Sequence, residues 1–232
     1  MQISHLFTVP LAHFSMQAPD EEWSQLSRFF ADRASQGTAF GRPGADGATF
    51  ESNNDLFHWN DPLTLRIAAF AHISMAQTIR AVSDHSDEEF RALVFDYQSW
   101  FHVSYQGGFQ PFHSQPNGSW TGLLFVDLGD EMPDRPESGA IMLHDSRVNA
   151  CYLQDEGSTR LKHPATFCAH ELIAERGKLY IFPSYVQQEC FAYLGERPRI
   201  LIYFNCWVRK EKHRAVLGPE RARLRVINAP DG

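Results

Sequence analysis

The sequence predicts a mainly β protein with helices, in which the helices pack on one face of an antiparallel jelly roll or small barrel. Three observations support this fold class. The chain has 232 residues, which suits one domain with a sizeable core. Aromatic residues make up 13% of it, with 18 Phe, which is typical of thick sheet packing. From about residue 92, short β-rich runs alternate with turn signals, whereas helical patterns precede them. We therefore expect a single domain over 1–232, with a helical part at 1–90, a jelly-roll core at 91–208 and a basic C-terminal tail at 209–232.

The first 90 residues contain the patterns of three helices. In APDEEWSQLSRFFADRASQG, Pro19 and the acidic residues after it suit a helix start, and the expected buried stripe is Trp23, Leu26 and Phe29/Phe30. NDPLTLRIAAFAHISMAQTIRAVS predicts a longer helix, because Asp61 is a suitable cap and Pro62 fits the first turn. Its expected apolar face comprises Leu63, Ile67, Phe70 and Ile73. A shorter helix is predicted from Ser86, with acidic residues in its first turn.

The remaining segments are assigned as strands or loops. HLFTVPLAHF alternates loosely and predicts a first strand. TAFGRPGADGATFESNND is rich in glycine and polar residues, which is typical of a surface loop. Seven later runs predict the strands of the jelly roll: LVFDYQSWFHVSY, SWTGLLFVDL, SGAIMLHD, TFCAHELIA, GKLYIFP, QECFAYL and RPRILIYFNCWV.

Composition narrows the functional class. The formal net charge of −7 argues against a nucleic-acid-binding protein. The cysteines are widely spaced and form no CxxC pair, which favours free thiols in a reducing compartment over a disulfide framework or a zinc site; they are Cys151, Cys168, Cys190 and Cys206. The sequence contains neither a signal-peptide pattern nor 18 uninterrupted apolar residues, so a cytoplasmic protein without a membrane span is expected.

The C-terminal tail departs from the acidic average. Although the chain as a whole is acidic, the segment VRKEKHRAVLGPERARLRV contains seven arginine and lysine residues: Arg209, Lys210, Lys212, Arg214, Arg221, Arg223 and Arg225. We interpret it as a solvated tail or a short edge element, with contact to an anion or a partner as the alternative.

Three ordered blocks of the β half resemble a known family. They are SWFHVSYQGGFQPFHSQPNGSWTGLLFV, SGAIMLHDSR and GKLYIFPSYVQQECFAYLGERPRILIYFN, and ESNNDLF precedes them. In order and spacing they resemble the iron/2-oxoglutarate-dependent oxygenases, more specifically a bacterial group of that superfamily, over roughly residues 50 to 208. The resemblance implies a double-stranded β-helix with iron and 2-oxoglutarate at its mouth.

The resemblance also implies roles for single positions. Such enzymes hold Fe(II) with two histidines and one carboxylate. His113 falls on the first metal ligand, Gln115 on the second and Gln188 on the distal histidine. Arg199 falls on the basic residue that binds the far carboxylate of 2-oxoglutarate. His102 falls where the group tends to have asparagine near that cosubstrate.

Two of the three metal positions depart from the family pattern. A glutamine offers a neutral amide oxygen, which is a poor donor for Fe(II) beside imidazole or carboxylate. The sequence therefore predicts weak iron binding by His113 with Gln115 and Gln188. A relocated metal site that uses His113 with His102 or His144 is the alternative. Taken singly, three histidines are expected to be ordinary strand or surface residues: His144, His163 and His170.

Arg199 lies between apolar strand residues, where an unpaired guanidinium is costly. It needs an anion, which is either a bound carboxylate or an internal partner such as Asp127 or Asp145. Because strand side chains alternate, one face of this strand is expected to carry Arg199, Leu201, Tyr203 and Asn205. That face is polar enough to line a pocket.

Aromatic residues near His113 are candidates for the wall of an apolar cavity, with core packing as the alternative interpretation. They are Trp100, Tyr105, Phe112, Trp120, Tyr185 and Tyr203. Tyr105 is also a candidate for cosubstrate binding, together with Arg199 and His102.

Three functions are compatible with these residues. The first is an oxygenase-like enzyme that acts on a small molecule with Fe(II) and 2-oxoglutarate, at an atypical or rebuilt metal site. The second is a metal-free isomerase, cyclase or lyase in which His113 acts as acid or base. The third is a non-catalytic protein that binds an anionic small molecule through Arg199. An exposed barrel edge is also compatible with a homodimer.

Overall fold

The computed structural model describes residues 1–147, 155–163, 165–166 and 168–210, together with the backbone of 222–225. Within these ranges the chain forms three α-helices: α1 (Asp20–Ser35), α2 (Pro62–Val82) and α3 (Asp87–Arg91). The strands are β1 (Ala12–Ser15), β2 (Gly41–Pro43), β3 (Thr49–Ser52), β4 (Leu93–Ser104), β5 (Gln110–His113), β6 (Trp120–Asp127), β7 (Ile141–His144), β8 (Ala169–Glu171), β9 (Lys178–Pro183), β10 (Gln187–Cys190), β11 (Arg199–Lys210) and β12 (Ala222–Arg225). No helix in the described ranges is both long and apolar enough to cross a membrane.

The strands form two antiparallel sheets. The main sheet has the order β1-β9-β6-β11-β4-β3-β2, and β12 pairs with β4 beside this path. The small sheet has the order β5-β10-β7-β8. From β4 to β7 and again from β9 to β11, successive strands alternate between the two sheets. This arrangement confirms the predicted jelly roll.

An apolar layer lies between the two sheets. It contains Phe125 and Leu201 of the main sheet and Ile141 and Leu143 of the small sheet. The alternation predicted for β11 is confirmed, because Leu201 and Tyr203 belong to this layer, whereas Ile200, Ile202 and Phe204 belong to the layer beneath the helices.

The helices cover the outer face of the main sheet, as predicted. In α1, Trp23, Leu26 and Phe30 are buried. The buried face of α2 agrees with the predicted one at Ile67, and Leu63 and Phe70 pack against the core, but Ile73 is 56% exposed. Besides the predicted Ile67, the buried core contacts of α2 are made by Ala68, Ala71, Met75 and Ile79. Small alanines allow close approach of a helix to a sheet, and a search for large apolar residues overlooks that face.

The N-terminal part contains more β structure than predicted. Besides the expected β1, the segment predicted as a surface loop forms the hairpin β2–β3, and β3 pairs with β4. Asp46 holds the turn, because its carboxylate accepts hydrogen bonds from the backbone N–H groups of Ala48 and Thr49 at 3.1 and 3.0 Å. Phe50 fixes the hairpin by packing its ring against that of Phe101, with the centroids 5.8 Å apart.

The predicted C-terminal tail is in part sheet. Arg209 and Lys210 belong to β11, and Arg209 donates a hydrogen bond to the buried carboxylate of Asp96 at 2.7 Å. The backbone of 222–225 forms β12, which agrees with a short edge element. Among the tail's basic residues, Lys212, Arg214 and Arg221 lie outside the described residues, as does Cys151.

Candidate functional site

Pairing between β5 and β10 brings two of the predicted site residues together. Gln188 is the register partner of His113, so both side chains project from the same face of the small sheet. The Nε2 atoms of the two side chains are 3.3 Å apart. The structure thus places positions 113 and 188 as neighbours.

A backbone carbonyl fixes the protonation of the His113 ring. Nδ1 of His113 lies 2.7 Å from the carbonyl oxygen of Pro111. Because a carbonyl only accepts, Nδ1 carries the proton and Nε2 of the neutral ring has a lone pair. The amide N–H of Gln188 donates to that lone pair. Gln188 is 1% exposed, and its Oε1 has no hydrogen-bond partner in the described part of the chain.

Gln115 lies in the turn after β5 and is tied to the main sheet. Its backbone N–H donates to the carbonyl of Ser184 at 3.1 Å, and its side-chain oxygen is 3.5 Å from Nδ2 of Asn205. Asn205 is held in turn by the Thr121 hydroxyl, which donates to Oδ1 at 3.0 Å. A Cβ on Gly118 would lie 2.8 Å from the Ser184 hydroxyl, so glycine allows this turn to approach the sheet closely.

A cavity of about 380 Å³ lies beside His113 and Gln115. On β4 the alternating residues Gln98, Trp100 and His102 line it, and on β11 Tyr203 and Asn205 do so. Six of the described lining residues carry carboxamides: Asn54, Gln98, Gln110, Gln115, Asn117 and Asn205. The pocket is therefore rich in neutral groups that both donate and accept hydrogen bonds.

Glu51 and His102 are cross-strand partners in this pocket. Oε2 of Glu51 and Nε1 of Trp100 lie 3.2 and 3.1 Å from Nε2 of His102. One ring nitrogen cannot both donate to Glu51 and accept from Trp100, and we assign the proton to Nε2, since an ionised carboxylate is the stronger partner. Nδ1 then accepts from the Gln110 amide, whose oxygen accepts from the Tyr203 hydroxyl at 3.0 Å.

This network controls the charge of the pocket. The hydrogen bond from His102 lowers the pKa of Glu51 to about 2, with a smaller contribution from Arg42 and against the opposing effect of burial. Burial raises the pKa of the Tyr203 phenol, which therefore stays a neutral donor. Sequence reasoning missed Glu51, Gln98 and Gln110. Glu51 was missed because it lies in the segment predicted as a surface loop. Gln98 could have been found, because it alternates with Trp100 and His102 on β4 and therefore lies on the same face of that strand.

Arg199 is buried, but it lies outside the pocket that contains His113. Its side chain is 3% exposed, donates to the carbonyl of Gly139 and lies 3.5 Å from Sγ of Cys190. It lines a second cavity of about 400 Å³ and not the His113 pocket. The proposed internal partners are engaged elsewhere, since Asp127 is 3.6 Å from Arg197 and Asp145 pairs with Arg147. Among the described residues no carboxylate pairs with Arg199.

Of the two histidines considered for a relocated metal site, His144 does not lie with His113 in the described structure. His144 pairs with Gln187 across β7 and β10, so it projects to the face opposite Gln188 and His113. It lies 2.8 Å from Oε1 of Glu189. In the described ranges no three His, Cys, Asp or Glu side chains are grouped closely enough to hold a metal ion.

The other histidines and the aromatic candidates mostly lie away from the pocket. His163 and His170 are exposed, as predicted. Trp100 and Tyr203 line the cavity, but Trp120 packs beneath the helices. Three other candidates are 40 to 57% exposed and do not line it: Tyr105, Phe112 and Tyr185.

The residues at positions 113, 115 and 188 do not fit Fe(II). They supply one imidazole and two carboxamides, whereas the usual set is two histidines and one carboxylate. The Gln188 amide donates to the imidazole atom that a metal would use, and Gln115 is tied to Asn205. The described lining of the His113 pocket also contains no lysine or arginine to complement the two charges of 2-oxoglutarate.

Comparison with known proteins supports the fold assignment. Residues 98–205 match the family model described as "Putative 2OG-Fe(II) oxygenase". The structure is similar to a prolyl-4-hydroxylase from Pseudomonas putida, with a TM-score of 0.52 and 16% identity over 87% of this chain and 92% of that chain. It is also similar to HygX from Streptomyces hygroscopicus, which was crystallised with nickel and 2-oxoglutarate, with a TM-score of 0.56 and 11% identity over 86% and 83%.

A third similar structure is a prolyl hydroxylase from Trichoplax adhaerens in complex with a hypoxia inducible factor peptide. Its TM-score is 0.55 and its identity is 8%, over 85% of this chain and 83% of that chain. These likenesses concern the fold alone. No curated protein sequence matches the chain. Residues 98–205 thus match the 2OG-Fe(II) oxygenase family model, and the strand topology agrees with the jelly-roll fold of the similar structures.

Proposed function

We propose that the protein is an enzyme that binds a polar small molecule in the His113 pocket and acts on it by proton transfer, without iron at positions 113, 115 and 188. One observation carries this proposal: the carbonyl of Pro111 fixes the proton on Nδ1 of His113, so that Nε2 is a base beside a polar cavity. The flanking carboxamides of Gln115 and Gln188 complement this base as hydrogen-bonding groups.

Each residue has a defined part in such a reaction. His113 takes a proton at Nε2, and the carbonyl of Pro111 stabilises the resulting imidazolium by accepting from Nδ1. The Gln188 amide moves from Nε2 to the substrate when the substrate displaces it. Gln115, held through Asn205, orients the substrate. Isomerisation, cyclisation or elimination needs no more than proton transfer and positioning.

An oxygenase that uses Fe(II) and 2-oxoglutarate is the second candidate. It is favoured by the buried guanidinium of Arg199, which pairs with no carboxylate in the described ranges. In this candidate Arg199 and His102 are the cosubstrate contacts that the family resemblance implies, and Tyr105 is a further candidate, although Arg199 lines a different cavity from His102 and Tyr105 lines neither cavity. A donor from outside positions 113, 115 and 188 would then have to complete the metal site.

The test compares the wild type with two matched histidine variants. The protein is incubated with a metabolite extract with and without a chelator, and consumed compounds are followed by mass spectrometry. We expect turnover that resists the chelator, is abolished in His113→Asn and is retained in His144→Asn, because His144 lies on the outer face of the small sheet.

Two other results would overturn the proposal in favour of an alternative. Stoichiometric iron uptake under anaerobic titration, with succinate released from 2-oxoglutarate, would establish the oxygenase. A ligand that raises the melting temperature and is recovered chemically unchanged, without consumption of any compound of the extract, would establish a non-catalytic binding protein. We also propose a cytoplasmic location, supported by the free thiols of Cys168, Cys190 and Cys206.

A further inference from the structure

The carboxamides of the His113 pocket indicate the chemistry of its ligand. An amide side chain donates through its nitrogen and accepts through its oxygen, and a hydroxyl group also does both. A lining with several amides therefore complements a molecule with several hydroxyl groups better than it complements one with only donors or only acceptors.

Three of these amides are available to a ligand. Within the described part of the chain, no side-chain hydrogen bond engages Asn54, Gln98 or Asn117, although each lines the cavity. The others are engaged, as when Gln110 bridges His102 and Tyr203. The ligand consequently meets uncommitted donors and acceptors beside a fixed framework.

The charge of the pocket favours a neutral ligand. Glu51 is ionised, but His102 and Arg42 both contact its carboxylate. The described lining contains no lysine or arginine to attract an anion. Hence the pocket has neither the free cation that a dicarboxylate needs nor an uncommitted carboxylate for an amine.

The pocket also has an apolar wall. Trp100 and Tyr203 stack on each other with their ring centroids 5.9 Å apart and an interplanar angle of 11°. Because the two rings stack on each other and are 6% and 1% exposed, they offer only a small apolar surface to the C–H groups of a ring whose hydroxyls face the amides. Such amphipathic rings are characteristic of sugars.

We propose that the His113 pocket binds a neutral polyhydroxylated ring, that is, a sugar or sugar-like substrate. This assignment rests on the proposed function, because it concerns the same pocket. The hydroxyls pair with Asn54, Gln98 and Asn117, and the C–H face of the ring packs on the aromatic wall.

Ligand-observed NMR on the whole protein tests the assignment. The probes are a set of methyl pyranosides, and 2-oxoglutarate and putrescine serve as the anionic and the cationic comparison ligand. We expect at least one pyranoside to bind to the wild type and to bind about fivefold to tenfold more weakly to Gln98→Leu, because the variant loses one or two hydrogen bonds. The matched control is Gln187→Leu, on the outer face of β10, which should bind like the wild type.

Several results would overturn the assignment. These are binding of 2-oxoglutarate or putrescine with no pyranoside response, equal loss of binding in Gln98→Leu and Gln187→Leu, or no response from any probe at millimolar concentration. The proposed function fails separately, through iron uptake and succinate release or through retained turnover in His113→Asn. A pyranoside that binds but is not turned over leaves the ligand assignment standing without the catalytic one.

Discussion

Gln188 donates its amide N–H to Nε2 of His113, and the two atoms are 3.3 Å apart at paired positions of β5 and β10. In the iron oxygenases that the sequence resembles, the corresponding two positions hold metal ligands. Here the Gln188 amide N–H occupies the lone pair on Nε2 of His113, while Oε1 of Gln188 has no hydrogen-bond partner among the described residues. The two positions are therefore neighbours, but their side chains offer a donor chemistry that differs from the metal ligands the resemblance implies.

Restoring the missing donors should create a metal site. We expect the double variant Gln115→Asp/Gln188→His to bind Mn(II) or Fe(II) at least about 10- to 100-fold more tightly than the wild type, since metal ions of this class prefer imidazole and carboxylate to amide. Anaerobic calorimetry measures the affinity. The control Gln115→Asp/Gln187→His places the imidazole on the outer face and should show no such gain. Equal affinity of the wild type and the double variant would contradict this account.

The Glu51–His102 pair should make stability depend on acid. The folded pKa of Glu51 is lowered from 4.5 to about 2. The ionised form therefore stabilises the folded state above pH 4.5, and this contribution is lost as the pH falls from 4.5 towards 2. The difference in unfolding free energy between the wild type and Glu51→Gln should shrink over that window, as urea denaturation at pH 7, 5, 4 and 3 would measure. A difference that stays constant from pH 7 to 3 would be inconsistent with the lowered pKa.

The observed face of α2 predicts unequal costs for two isoleucines on one helix. Ile67 is 1% exposed, and Ile67→Ala should lower the free energy of unfolding by about 2–5 kcal/mol. Ile73 is 56% exposed, and Ile73→Ala should change it by less than about 0.5 kcal/mol. Chemical denaturation of both variants provides the comparison. Similar losses would show that α2 is rotated relative to the face described above.

Gly139 should be less replaceable than Gly47, although both have positive φ. Gly47, with φ +70°, has no atom within 4 Å of an added Cβ, so Gly47→Ala should cost about 1 kcal/mol for strain alone. Gly139, with φ +66°, would place its Cβ against the Arg199 guanidinium. Gly139→Ala should therefore cost at least about 1 kcal/mol more. Thermal unfolding of both variants measures the difference, and equal melting temperatures would show that Arg199 moves aside freely.

Local patterns predicted the fold where the pattern was long. Strands β4 and β11 and helices α1 and α2 were each found because their periodicity extends over ten or more residues. Strand β5 was missed because it has only four residues and includes Pro111. The β2–β3 hairpin was missed because its composition resembles a loop, and β3 is recognised as a strand only through its pairing with β4.

The site was predictable only in part, for a related reason. The proximity of His113 to Gln188 could be predicted, because both residues fall on metal-ligand positions of the sequence blocks that resemble the family. The contact of Glu51 with His102 joins residues 51 positions apart, and no periodicity in the sequence reports it. The three predicted ligand positions do not indicate that carboxamides of the main sheet line the pocket, because those side chains come near His113 only when the chain folds.

The long strand β4 is bordered along both sides by the chain's own backbone. β11 pairs with it over Leu93–Ser104, while β12 pairs with its first half and β3 with its end. Between them, Ser99 donates its N–H to Asn54 and Phe101 donates to the Ser52 hydroxyl. Because strand addition requires unpaired backbone groups, this long apolar strand is protected against templated aggregation. In the described part of the chain, intermolecular sheet extension is left to outer strands of three or four residues, which are β1, β2 and β12 in the main sheet and β5 and β8 in the small sheet, and β2 ends in Pro43.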